Sequence, residues 1–249
     1  MSDRSRSIIF ATVLCLVCGT LLTAASNGLK KIQQQNIMSD RRKNILKSVG
    51  LIKKQEQYSA AQIDRIYEKN ISRLLVDEKG DLLGENREGT PQKKQGLPVY
   101  LYINPKGLIE AYIIPVDTRG LWGKILGYIA IKNDGVTITG FTVYKHSETP
   151  GLGGEIEQGW FQNNFVGKKI IGPSGDFASI SIAKGKAEDN VPEERSSNYV
   201  DGISGATLTG QFLTTGLKDI LLNYEAVSVK FRNIRSYCKT NQNTPWCQR

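Results

Sequence analysis

The spacing of apolar residues changes character several times along this chain. Residues 8–25 form a mostly apolar run without a charged side chain, at the lower limit of what a helix needs to cross a bilayer. From 27 to 49 the chain turns polar. Ile32, Ile37, Ile45, Leu46 and Val49 leave only a thin apolar stripe, and Gly50 is a natural C-terminal stop, which predicts a separate helix leaving the membrane. Another helix is expected from Ser59, where Ser59-Ala60-Ala61-Gln62 fits a capping box and Ile63, Ile66, Ile71 and Leu74 supply a buried face. Residues 84–96 are charged and rich in Gly, Pro and Gln, and read as a loop.

Beyond that loop the residue types favour strands. Residues 99–103, 108–116, 125–131 and 136–144 are rich in β-branched and aromatic side chains. Asn133-Asp134-Gly135 is a strong hairpin signal between the last two. Residues 155–165, with Trp160 and Phe161, read as a short amphipathic helix, and 178–183 as a further strand. Phe212, Leu213, Leu217, Ile220 and Leu221 recur at helical spacing and predict a helix over 206–224. A basic tail is expected from Val227. Short strands in series, with helices before and after them, imply an α+β fold built on an antiparallel sheet rather than a doubly wound parallel one.

Charge refines this picture. The net charge is +9, but residues 1–56 hold ten Lys/Arg against three acids. A basic segment beside a membrane helix points to anionic headgroups or a partner's acidic face, and no nucleic-acid motif accompanies it. A plain positive-inside count places the domain after the helix in the cytoplasm. The apolar run also has the features of a cleaved signal peptide, with Arg4 and Arg6 before it and Thr23-Ala24-Ala25 at its end. Its length favours an uncleaved anchor. Cys15 and Cys18 lie in that run and read as small hydrophobes. Cys238 and Cys247 stand in a polar segment and can close a small disulfide loop in an oxidising compartment. A single histidine, His146, excludes a multi-His metal site within the chain.

The candidate chemistry lies in two stretches. In Asp201-Gly202-Ile203-Ser204-Gly205-Ala206-Thr207, the glycines suit a tight turn and Ser204 is a plausible N-cap for the helix that follows. Thr207 then falls in the first turn, where open amides and the helix dipole favour a phosphate. Asp201 suits an Asx turn. Thr209 carries a second hydroxyl and ranks below Thr207. In Glu148-Thr149-Pro150-Gly151-Leu152-Gly153, Pro and Gly fix a tight path whose amides can face a ligand's acceptors. A threonine hydroxyl is a weak nucleophile and no histidine is near it in sequence, so self-modification is not expected. Nucleotide-hydrolase phosphate loops and the Rossmann fingerprint are absent, so the chain should not bind NADH itself.

Together the two stretches carry a resemblance. The first resembles the flavinylation motif of proteins that hold FMN on a threonine by a phosphoester bond, made from FAD by a separate FMN transferase. The second resembles the other signature of the same FMN-binding domain. The resemblance covers nearly the whole chain and is strongest to the C-subunit family of the sodium-translocating NADH:quinone reductases. The G-subunit flavoprotein of the Rnf electron-transport complex is the related alternative.

This resemblance implies an α+β fold with an N-terminal transmembrane helix (8–26) after a short cytoplasmic N-terminus (1–7). A helical membrane-proximal segment and loop (27–95), one FMN-binding domain (96–226) with an antiparallel sheet and flanking helices, and a basic C-terminal tail (227–249) would follow. Covalent FMN is implied on Thr207, with Asp201, Ser204, Gly205 and Ala206 in the surrounding motif. Glu148, Thr149, Leu152 and Gly153 would position the ring. Trp122, in Arg119-Gly120-Leu121-Trp122-Gly123, would lie near the isoalloxazine or serve as a core tryptophan. Function by resemblance is electron transfer, from NADH toward quinone, within a multi-subunit sodium-translocating reductase of the bacterial inner membrane. The soluble domain would be periplasmic, opposite to the charge count. A membrane-tethered adaptor without a cofactor is the competing function.

Overall fold

The computed structural model describes residues 2–53, 56–85, 96–234, 238 and 244–247. The chain divides into two compact units, Met1–Arg41 and Arg42–Arg249.

The first unit is the greater part of helix α1 (Asp3–Ser48). It is long and apolar enough to cross a membrane, and none of its apolar window is buried against protein. Its threonine hydroxyls are satisfied within the helix: Thr12 Oγ1 donates to the Ile8 carbonyl at 2.9 Å, Thr20 Oγ1 to that of Leu16 at 2.9 Å and Thr23 Oγ1 to that of Gly19 at 2.7 Å. Such bonds let threonine sit in a nonaqueous environment. The sequence suggested a second helix from residue 27, whereas α1 continues without a break to Ser48. Nothing in 26–30 breaks a helix, since Gly28 alone weakens one without ending it.

The second unit starts with the end of α1. Gly50 adopts φ +71°, its N–H donates to the Lys47 carbonyl, and the Leu51 N–H reaches back to Leu46, both at 3.0 Å. This is a Schellman stop, and a left-handed residue makes it possible. Helix α2 (Ala60–Asn70) begins with the expected capping box of Ser59 and Gln62. It ends sooner than its apolar spacing suggested. Ile71 and Leu74 belong instead to strand β1 (Ile71–Val76). Strand β2 (Leu82–Glu85) follows, so Gly84 and Glu85 lie in a strand, and residues 86–95 of the expected loop lie outside the described residues.

Strands β3 (Leu97–Ile103), β4 (Ile109–Arg119), β5 (Lys124–Lys132) and β6 (Ile138–Lys145) agree with the sequence reading within a few residues. The six strands form an antiparallel sheet in the order β2-β1-β3-β4-β5-β6. A 3-10 turn (Gly153–Glu157) and helix α3 (Gly159–Asn163) replace the single helix expected over 155–165. Strand β7 (Ser181–Ile182) is shorter than expected and pairs in parallel with β8 (Tyr199–Val200). Helix α4 (Ala187–Asn190) and a 3-10 turn (Glu193–Asn198) lie between them. Helices α5 (Thr207–Asn223) and α6 (Glu225–Arg232) complete the unit with a 3-10 turn at Pro245–Cys247.

Both faces of the sheet are covered. Along β4 and β5, Tyr112, Ile114, Ile129 and Ile131 face a core that includes Phe161, Phe165, Leu213, Leu217 and Leu221. Ile113, Tyr128 and Ala130 face a second core with Ile45, Leu46, Ile63 and Tyr67. Alternate residues of one strand therefore pack into different layers. Helix α5 approaches β4 so closely that a Cβ on Gly216 would fall 1.7 Å from Thr118 Oγ1. The stretch expected as a basic tail from Val227 begins inside α6, whose Val227, Ser228 and Phe231 are buried. Phe231 stacks on Tyr112 with centroids 4.5 Å apart, and the Tyr112 hydroxyl donates to Ser228 Oγ at 2.7 Å.

Candidate functional site

Three connections converge at one end of the sheet. The β4–β5 turn is tight, the Gly120 N–H donating to the Gly123 carbonyl at 2.6 Å. It holds Trp122 outward, 69% exposed, so the core role for this tryptophan is overturned. After β6, the Thr149 carbonyl accepts from the N–H groups of Leu152 and Gly154 at 3.1 and 2.9 Å, curling residues 148–153 into the 3-10 turn. After β8, the chain bends through Gly205 at φ +73° into α5. A Cβ on Gly205 would fall 2.8 Å from Leu152 Cδ2, so the two motif stretches touch there.

Between them lies a cavity of about 200 Å³ lined by Trp122, Glu148, Thr149, Leu152, Gly153, Gly205, Ala206 and Thr207, together with Leu121, Leu208 and Thr209. Eight residues singled out from sequence thus meet around one space. A larger cavity of about 300 Å³, against β6 and the end of α1, contains none of them. The smaller one brings the exposed Thr207 hydroxyl together with apolar surfaces.

Thr207 is the first residue of α5 and is exposed. The expected Ser204 cap is not formed. The N-cap position is Ala206, and no side chain caps the helix. Ser204 lies too far upstream, in an exposed turn in which the Ala206 N–H donates to the Ile203 carbonyl at 3.1 Å. The first amides of α5 are consequently left for an external acceptor. Asp201 lies outside the cavity lining. Its Oδ1 accepts from the Ala187 N–H at 2.7 Å, fixing the start of α4 rather than making an Asx turn of its own.

Glu148 is 4% exposed. Its Oε1 accepts from the Trp122 N–H at 3.0 Å and its Oε2 from the Thr209 hydroxyl at 2.5 Å. One carboxylate thereby ties the tryptophan turn, its own loop and the first turn of α5 together. Gly153 packs against the same pair: an added Cβ would fall 2.4 Å from Thr209 Oγ1 and 2.9 Å from Glu148 Oε2. His146, just past β6, is half-buried. Its Nδ1 accepts from the Glu148 N–H and its Nε2 faces Glu157 Oε2, each at 3.2 Å.

The sequence reading missed Leu121 and Leu208 as lining residues and Thr209 as an anchor. Thr209 had a legible signal: it precedes Leu213, Leu217 and Leu221 at steps of four, on the buried face of α5. Cys238 and Cys247 are bonded to each other, with Cα atoms 5.4 Å apart. Cys15 and Cys18 are exposed on α1.

The residues around this cavity suit a flat ring with a phosphate. Trp122, Leu152 and Leu208 offer exposed apolar surface, and the uncapped helix start offers amides beside a hydroxyl. The fold is that of an FMN-binding domain, and the family model of that description matches residues 120–222, from the tryptophan turn to the last turn of α5. The C subunit of the Na(+)-translocating NADH-quinone reductase from Yersinia pestis is 32% identical over 229 residues, covering 82% of this chain and 83% of that protein. Its counterpart from Pseudomonas aeruginosa is 29% identical over 235 residues, covering 84% and 88%. The crystal structure of the same subunit from Parabacteroides distasonis matches with a TM-score of 0.67 at 32% identity, over 82% of this chain and 96% of that one. The chain belongs to the C-subunit family of the Na(+)-translocating NADH-quinone reductase.

Proposed function

We propose that this chain holds FMN through a phosphoester to Thr207 and relays electrons within a membrane-bound, sodium-translocating NADH:quinone reductase. The observation that carries the reading is Thr207 itself, an exposed hydroxyl on the uncapped first residue of α5, in the wall of the cavity. Thr209, two residues on, is buried and already donates to Glu148. An enzyme delivering a cofactor can reach the first hydroxyl and not the second.

FMN bound there supplies electron-transfer chemistry that no side chain of the protein can. The protein's part is to bind and orient. The open amides of α5 and its dipole stabilise the phosphate's charge. Trp122, Leu152 and Leu208 would shield the ring, and the Thr149 segment supplies polar groups at its edge. Attachment requires the Thr207 oxygen to displace AMP from FAD, with its proton passing to a base. His146 and Glu148 are both engaged in the scaffold, which supports a separate FMN transferase providing that base. Residues 8–25 would anchor the protein in the bilayer beside its partner subunits. The Cys238–Cys247 bond favours the oxidising, periplasmic side for the domain over the side given by the charge count.

The test is co-expression of the full chain with an FMN transferase, followed by denaturing electrophoresis and in-gel flavin fluorescence. Wild type should fluoresce and Thr207→Ala should not, while both reach the membrane folded. A fluorescent Thr207→Ala band, or a dark wild-type band beside a labelled positive control, overturns the reading.

A further inference from the structure

We propose that the buried carboxylate of Glu148 acts as a fixed negative charge that holds the flavin's reduction potential low, while its two hydrogen bonds keep the walls of the cavity in register. This inference rests on the assignment of FMN to the cavity. Glu148 lines that cavity together with Trp122 and Thr207, yet it is 4% exposed and its oxygens are directed at protein donors. It is therefore not a group waiting for a ligand's hydrogen bond.

Two features make it more than scaffolding. Both donors are neutral, a backbone N–H and a hydroxyl, and both of its oxygens accept, which is the arrangement an ionised carboxylate needs. Among the described residues no ion pair includes Glu148. The nearby imidazole of His146 is turned to the Glu148 backbone and to Glu157 instead. A buried charge without a countercharge is poorly screened, and its field reaches across the adjoining cavity. Reduction adds electron density to a ring in that cavity. A fixed negative charge opposes the addition and favours the oxidised form, which lowers the potential.

Glutamine separates charge from position. In Glu148→Gln the side-chain oxygen can still accept from the Trp122 N–H, and the amide can donate to Thr209 Oγ1, since a hydroxyl both donates and accepts. The shape and both contacts are retained and only the charge is removed. A residue with a purely structural role would leave the potential unmoved by this change.

The experiment is a spectroelectrochemical titration of detergent-purified full chain, co-expressed with an FMN transferase, wild type beside Glu148→Gln. Covalent flavin should be present in both. The variant should titrate at a higher potential, with at least a tenfold shift in the equilibrium between oxidised and reduced forms, or about 59 mV for a one-electron couple. Equal potentials in two flavinylated proteins overturn the inference and leave the FMN assignment intact. Absence of flavin from wild type instead removes the assignment itself. A measurement on wild type alone guards against a variant that does not fold. In protein labelled with ¹³C-glutamate, the redox-difference infrared spectrum should contain a labelled carboxylate band that shifts on flavin reduction. A spectrum without such a band also overturns the proposal.

Discussion

At the scale of single residues, two threonines two positions apart have opposite surroundings, Thr207 exposed and Thr209 buried, and the buried face of α5 decides which is which. The motif pointed to Thr207, and the step of four linking Thr209 to Leu213 explains why Thr209 turns inward. The sequence could not disclose that Thr209 meets Glu148, 61 positions away, because a contact of that separation leaves no local pattern. Thr209→Val should leave flavin attachment at Thr207 intact while orphaning one buried carboxylate oxygen. A loss of about 1–3 kcal/mol in urea unfolding is expected; an unchanged midpoint would show that the hydroxyl contributes nothing. Gly153→Ala tests the same packing from the other side. Its Cβ would fall 2.4 Å from Thr209 Oγ1, and overpacking of this kind costs about 1–3 kcal/mol. A more stable Gly153→Ala protein would mean that the loop and α5 are looser than described.

At the scale of elements, the legible parts are those with a local cause. The capping box at Ser59 and the stop at Gly50 are chemistry within a few residues, and both formed where the sequence placed them. Strand β1 was illegible because Ile71 and Leu74 extend the spacing of α2, and pairing with β2 and with β3, the latter remote in sequence, makes them a strand. Ser204 misled for the converse reason: the residue type is right for a cap, but the turn before α5 delays the helix until Thr207. The union of α6 with the sheet was likewise invisible, since Tyr112 and Ser228 are 116 positions apart. It makes a pH prediction. Burial pushes the Tyr112 phenol well above its ordinary value, so the unfolded chain releases this proton first as pH rises. The stability this group contributes is complete below its unfolded pKa of about 10 and declines above it. Unfolding free energy should therefore fall above that pH, and less steeply in Tyr112→Phe. Equal slopes in the two proteins would exclude Tyr112 as the source.

At the scale of the whole molecule, the chain combines a helix with no protein around its apolar face and a unit that encloses two cores. In the second unit a disulfide joins Cys238 to Cys247 and defines a short loop in the sequence. Trp246 lies inside that loop, 2% exposed, with its ring 5.5 Å from Phe231 in an edge-on contact. Its indole N–H is buried without a hydrogen-bond partner among the described residues, which works against this placement. Apolar burial and the crosslink must together outweigh that penalty. Closing a loop over nine positions restricts the unfolded chain by about 2.5 kcal/mol in the chain-entropy account. Reduction with a phosphine under native conditions should therefore lower the melting temperature and shift the fluorescence of Trp246 toward that of an exposed indole. Trp122 is already exposed and should be unaffected, so a Trp246→Phe protein supplies the blank. The cavity beside Thr207 draws no described residue from this loop, and flavin held on Thr207 as proposed should survive reduction. A melting temperature and emission spectrum unchanged by reduction would show that Trp246 is held by packing alone.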